Sequence, residues 1–523
     1  MTRLAWLLVV GVVACNDGRG TGGGGDLGVD GARPAGEDPD DCAAAAASKA
    51  YVGCDYWPTV VGNHVWSIFD YTVVVANPGT QPADVTVDGP NGTHQTATVA
   101  PSSLAKIYLP WVADLKGGDF DECVYGPTVT ASVRHNKGAY HLVSSRPVTV
   151  YQFSALEYKG AGGPTGKSWG GCPGELVCPN DGLPAGCFSY SNDASLLLPS
   201  TALTGNYRVS AYASGTGGTP TYVSITGTSA NTNVTVTLSK TAATAAGTGL
   251  PPHAAGSTFT FNIDDGDVVQ LLATSGDLSG TLIKADDVVQ VITGAHCAQV
   301  PVGYAACDHL EESTFPVETL GQDYVVTVPT GPHGVPVGHV VRIYGNFDGT
   351  SLTFEPPIAG APSSIKAGEV IDLGQVKTDF RVRGDHSFAV GSFMLGAELV
   401  DPNASVYEQE GDPSQSMAVA VEQFRQKYVF LAPNDYDSGY VDVVAPAGAT
   451  LTLDEMSVSV AATPIGGGEY GVVRVSLPKS GPGSHVLTAS APVGIQVLGY
   501  GLYTSYQYPG GLNLGAIAPV PVL

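Results

Sequence analysis

Positive charge is what this 523-residue chain has least of: 23 Lys+Arg stand against 48 Asp+Glu, a formal net charge of −25. Phosphate contacts by basic side chains supply most of the affinity of a nucleic-acid binder, so no nucleic-acid partner is expected. Charged residues of both signs make up only 14% of the chain, whereas Gly numbers 68 and Pro 37. Such punctuation leaves little room for long helices and favours many short strands. Past residue 14 no apolar run is long enough for a membrane-spanning helix. Also missing are a G-x-S-x-G elbow, a phosphate loop, an H-E-x-x-H pair, a Rossmann fingerprint and tight C-x-x-C pairs. Neither a cofactor nor a zinc site is expected.

What is present begins at the N-terminus. Met1-Thr2-Arg3 is followed by the apolar stretch Leu4 to Ala14, then by Cys15 and a polar, glycine-rich run. A basic start, a short apolar stretch and a small residue before the cut describe a secretory signal. With Cys15 at the first position after the cut, the segment resembles a bacterial lipoprotein signal, with Val12 where leucine is usual. Residues 1–14 are therefore expected to be the signal peptide and Cys15 the lipidated mature N-terminus. Residues 15–41, rich in Gly and Asp, read as a disordered linker. The location implied is the bacterial cell envelope, as an outer-membrane lipoprotein touching the membrane only through that lipid. Setting Cys15 aside leaves Cys42, Cys54, Cys123, Cys172, Cys178, Cys187, Cys297 and Cys307, an even number suited to disulfides in an oxidising compartment. Cys42–Cys54 and Cys297–Cys307 are local candidates, with Cys123, Cys172, Cys178 and Cys187 making up the rest.

From Tyr51 onward the pattern is strand-like. Tyr71-Thr-Val-Val-Val-Ala-Asn-Pro is a β-branched run ending in a turn signal, and Ala83-Asp-Val-Thr-Val alternates with period two. Four segments repeat a small or polar corner followed by an apolar strand: Arg146-Pro-Val-Thr-Val, Asp287-Val-Val-Gln-Val, His386-Ser-Phe-Ala-Val and Ala491-Pro-Val-Gly-Ile. Upstream steps recur at Ala100-Pro-Ser-Ser-Leu, Asp265-Gly-Asp-Val-Val, Ala367-Gly-Glu-Val-Ile and Gly468-Glu-Tyr-Gly-Val. The unit is about 100 residues, the size of a seven-stranded sandwich rather than of a single propeller blade. The fold expected is all-β, with tandem β-sandwich-like repeats over 42–189 (with a Cys/Gly-rich insert at 160–189), 190–306, 307–400 and 411–523. The alternative is a closed, propeller-like ring in which the copies act as large blades.

Several strings carry a resemblance to a known family. Among them are Tyr51-Val-Gly-Cys-Asp-Tyr-Trp-Pro, Val150-Tyr-Gln-Phe-Ser-Ala-Leu-Glu-Tyr, Asn192-Asp-Ala-Ser-Leu-Leu-Leu-Pro, Gly294-Ala-His-Cys-Ala-Gln-Val-Pro and Cys307-Asp-His-Leu-Glu-Glu-Ser. Over about 45–515 the chain resembles the N-terminal domain family of IgGFc-binding protein, which also occurs in surface lipoproteins of myxobacteria-like organisms. The resemblance implies a noncatalytic extracellular binding or adhesion module for a protein or glycan ligand. It does not imply antibody binding and carries over no binding residues.

The densest set of reactive side chains is His296, Cys297, Cys307, Asp308, His309, Glu311 and Glu312. One reading is a secreted hydrolase with His296 and His309 converging and Glu311 as base. The favoured reading is a disulfide-closed connector, with Asp308 or Ser313 capping a turn. Asp435 and Asp437, within Asn434-Asp-Tyr-Asp-Ser-Gly, are weak calcium candidates that lack the distal glutamate of a calcium loop. Tyr500-Gly-Leu-Tyr-Thr-Ser-Tyr-Gln-Tyr is either a recognition surface or, as favoured, part of the last unit's core.

Overall fold

The computed structural model describes residues 38–119, 129–172, 186–212, 219–304, 306–479 and 481–514. The expected signal segment, most of the expected linker, Cys15, Cys123 and Cys178 lie outside the described residues. Helix is confined to short pieces such as Cys42–Ser48, where the alanine run forms a turn and a half capped by Asp41, whose Oδ1 accepts the Ala44 N–H at 2.8 Å. Among the described residues, no helix is long and apolar enough to cross a membrane.

The rest is antiparallel sheet, and one seven-stranded plan recurs four times. In the first copy, Gly53–Tyr56, Ala83–Gly89 and Thr93–Val99 form one layer and Tyr71–Asn77, Ser103–Leu109 and Ala194–Leu197 the other. The long strand His141–Phe153 belongs to both. Its first half pairs with Ala83–Gly89 and its second half with Tyr71–Asn77. Leu282–Ala298 and Ser484–Gly501 do the same in the second and fourth copies, while in the third the strand is split into Phe380–Gly384 and Phe388–Met394.

The repeated corners of the sequence are where these strands change sheets. Pro147 and Pro492 sit there because a residue between two ladders has no partner for an N–H, and proline carries none. The outer layers alternate, as in Ala83–Gly89, whose odd positions face the sandwich core and whose even positions face out. The second strands, Tyr71–Asn77, Thr221–Gly227 and His339–Gly345, are buried throughout because both their faces are covered. Asn91 and Gly92, both at positive φ, follow Pro90 in the three-residue loop joining Ala83–Gly89 to Thr93–Val99.

A tyrosine clasps each copy at the corner. Tyr56, Tyr207, Tyr324 and Tyr428 donate their hydroxyls to the carbonyls of Val148, Val289, Phe388 and Val493 at 2.5–2.6 Å. Each hydroxyl also accepts the N–H three residues earlier, from Gly53, Thr204, Gly321 and Arg425. A buried phenol thereby satisfies two backbone groups that the change of sheet would orphan.

Each copy ends on a short closing strand: Ala194–Leu197, Asp308–Ser313, Gln415–Met417 and Thr504–Pro509. These add to the long strand of their own copy, so Ala194–Leu197 and Asp308–Ser313 join the first and second repeats although they follow sequence positions 190 and 307. The four closing strands also neighbour one another in a cycle, first to second to third to fourth and back to first. The described residues form one compact unit. The architecture is all-β and multi-sheet, and it combines both expected forms: sandwiches in tandem, closed into a ring.

Candidate functional site

The ring centre is lined by polar side chains. Asp193 stands at the entry to the first closing strand. Its Oδ2 accepts the N–H groups of Glu311 at 3.0 Å and Gln415 at 2.8 Å, and its Oδ1 that of Ala194 at 2.9 Å. One carboxyl group thus holds the closing strands of repeats 1, 2 and 3. Asp308 opens the second closing strand and complements it. It accepts from Asn192 N at 2.9 Å, His309 N at 2.6 Å, Thr504 Oγ1 at 2.9 Å and Ser505 N at 3.4 Å, linking repeats 1, 2 and 4. Asp412 N donates to Ser505 Oγ at 3.0 Å and Gln507 Nε2 donates to Ser414 O at 2.9 Å, which joins repeats 3 and 4. Between repeats 1 and 4 the seal is also aromatic, with Tyr151 against Tyr508 at 4.8 Å and Phe153 against Tyr506 at 5.8 Å.

Burial governs the protonation of this centre. Asp193, Asp308, Glu312 and Asp412 have their carboxyl groups pushed well above the ordinary range, because desolvation outweighs the N–H and hydroxyl donors they collect. His296 is pushed well below the usual imidazole value, first by burial and then by His64, His309 and Lys116. Its ring lies 4.9 Å from that of His64 and edge-on to Tyr222. Gly62 makes room for it: a Cβ there would fall 2.3 Å from His296 Nε2.

The reactive set read from the sequence is therefore largely assembled, but sealed. His309 Nε2 and Glu311 Oε2 are 3.4 Å apart, and His296, Asp308, His309, Glu311 and Glu312 are each 0% exposed. General acid–base work needs these groups within reach of a substrate. Here Glu311 Oε1 is taken by Ser195 Oγ at 3.1 Å and Gln152 Nε2 at 3.2 Å. The hydrolase alternative finds no access route at this position.

Cys297 bonds to Cys307 across the loop between the second long strand and its closing strand, and Cys42 bonds to Cys54. Cys172 bonds to Cys187 within the insert. Asp435 accepts the Tyr158 N–H at 3.1 Å, and Asp437 takes the Tyr158 hydroxyl and faces Lys159 Nζ at 3.3 Å. Both thus serve the contact between repeats 1 and 4. No group of three or more His, Cys, Asp or Glu side chains suited to a metal ion occurs among the described residues. Tyr500, Tyr506 and Tyr508 are fully buried in the core, whereas Tyr503 is half-buried at its edge. Sequence reasoning missed Asp193, Asp412 and the four tyrosines. The available signal was an aspartate at the entry to three closing segments, and a tyrosine three residues after Gly53, Thr204, Gly321 and Arg425.

A closed β-ring whose polar centre holds its repeats together defines an all-β, multi-repeat scaffold. Comparison with known proteins identifies it further: the IgGFc binding protein family matches residues 193–499, and the chain belongs to that family. The human IgGFc-binding protein is 25% identical over 258 residues, 49% of this chain and 4% of the human one. The chain thus corresponds to a small part of that relative's length. A solved tetra-tandem repeat from the extending region of a large adhesion protein aligns over 88% of this chain and 99% of its own at 10% identity, with a TM-score of 0.08. That value carries no structural argument.

Proposed function

We propose that this protein is a noncatalytic binding module exported to a bacterial cell envelope, where it holds a protein or glycan ligand for adhesion. The observation that carries the reading is the burial of the ring centre: its reactive side chains are committed to joining repeats, which leaves the outer faces and seams to meet a partner. Family membership supports it, since the name of the human relative describes binding to antibody Fc. The three disulfides among the described residues fit an oxidising compartment. Cys123 and Cys178 are expected to be oxidised as well. Lipid on Cys15 would anchor the chain, with the following Gly/Asp-rich residues as tether and the four repeats as the displayed body.

Capture from envelope proteins and surface polysaccharides on the immobilised chain, with Fc fragment as a further bait, tests the binding claim. At least one retained ligand is expected, and retention of none contradicts it. Cys15→Ser should move the protein out of the membrane fraction; continued membrane association would sink the anchor.

A further inference from the structure

An opening with a built polar lining lies at the seam of repeats 1 and 2. It is an open hollow of about 520 Å³ lined by Asp55, Trp57 and His141 from the first repeat, the connector residue Ser200, and Thr228 and Asp265 from the second. Its floor is rigid. Trp57 and His141 stack with ring centroids 4.3 Å apart and planes within 13°. His141 Nε2 is 2.6 Å from Asp55 Oδ2, and Ser200 Oγ donates to Asp55 Oδ1.

The charges there are matched pairwise. Asp55 faces His141, and Asp265 Oδ2 lies 2.9 Å from Lys137 Nζ. A cationic guest would need a carboxylate without a base already beside it, and an anionic guest would meet two carboxylates. What remains is hydrogen-bonding capacity held in fixed positions. A carboxylate offers about four lone-pair positions, so Asp55 keeps acceptor capacity after binding His141 and Ser200. Thr228 Oγ1 donates to Val288 O at 2.7 Å and keeps its own lone pairs. Trp57 is only 7% exposed, so it backs the His141 ring instead of meeting a guest itself. Val288, half-buried, adds an apolar edge.

Fixed acceptors, hydroxyls, the part-exposed His141 ring stacked on Trp57 and no unmatched charge suit a guest with many hydroxyls and a C–H face. A volume of this order suits a small-molecule-sized guest. We propose that the hollow between repeats 1 and 2 binds a neutral, hydroxyl-rich unit, a sugar residue of a glycan. This rests on the binding-module reading and gives it a place and a ligand class.

The test uses the full mature chain and a panel of neutral oligosaccharides built from glucose, galactose or mannose, with polyuronic acid and polylysine as charged comparators. A neutral sugar should bind, and Asp55→Asn and Asp265→Asn should each weaken it about tenfold or more, the cost of a lost hydrogen bond to a charged group. Asp265 is half-exposed, so its variant keeps the test sound if Asp55→Asn disturbs folding. Glu469→Gln, an exposed change in the fourth repeat, should leave binding intact. Binding unaffected by both pocket variants, no neutral sugar bound, or a charged polymer binding through these residues would each overturn the site. If no sugar binds but an envelope protein is captured, the binding function survives and the hollow falls. If nothing is captured, both fall.

Discussion

The sandwich cores and the ring centre are both buried, yet they are built from opposite materials. Repeat 3 encloses Val341, Ile343, Val382, Phe388 and Val390, an apolar cluster of its own. The centre is held by Asp193, Asp308, Asp412, Ser505 and Gln507. Apolar contacts are non-directional and stabilise any close-packed arrangement. Hydrogen bonds between buried groups stabilise only the arrangement in which every partner is in place. The sandwiches thus give each repeat its body, and the polar centre fixes how four similar bodies join.

Asp308→Ala tests the distinction with the largest expected effect. It strips this acceptor from the buried Asn192, His309 and Ser505 N–H groups, and should cost about 3 kcal/mol or more in urea unfolding. A core truncation such as Val341→Ala should cost about 2 kcal/mol without loosening the junctions between repeats. A ring variant no worse than the core variant would break the comparison.

The next effect is one of pH. Asp442 lies between repeats 3 and 4, accepting from Thr330 N at 2.9 Å and Thr330 Oγ1 at 2.5 Å. Burial raises its carboxyl from 3.8 to about 6. The folded protein therefore holds that proton more tightly than the unfolded chain does. The resulting stability is complete below pH 3.8 and is lost as pH rises through about 6. Asp442→Asn cannot lose it. The variant should accordingly gain about 2 kcal/mol on wild type between pH 4 and 7. Parallel stability profiles would refute this.

Smaller still is the effect of the tyrosine clasps. Tyr324→Phe leaves the Gly321 N–H and the Phe388 carbonyl without their partner and should cost about 1–2 kcal/mol. The equivalent changes at Tyr56, Tyr207 and Tyr428 should fall within the same range. A neutral result at all four would show the clasps to be incidental.

The same contrast explains how much could be read from the chain. Tyr71–Asn77 and Ala83–Gly89 were legible because β-branching and period-two alternation follow directly from facing an apolar core. The four corners were legible because polar or proline residues interrupt apolar strands at one place in each copy. The centre was not. Asp308-His-Leu-Glu-Glu-Ser has the composition of a solvated connector, and only the other closing strands supply the partners that let it be buried. Asp435 and Asp437 resembled cation ligands for the same reason: the Tyr158 amide and hydroxyl that occupy them come from a repeat some 280 residues away.

The central claim is that polar closure makes four sandwiches one structure. Scanning calorimetry of the mature chain tests it most directly. The account predicts a single transition whose calorimetric and van't Hoff enthalpies agree, and its splitting in Asp308→Ala. Separate transitions in the wild-type protein, with repeats melting independently, would contradict it.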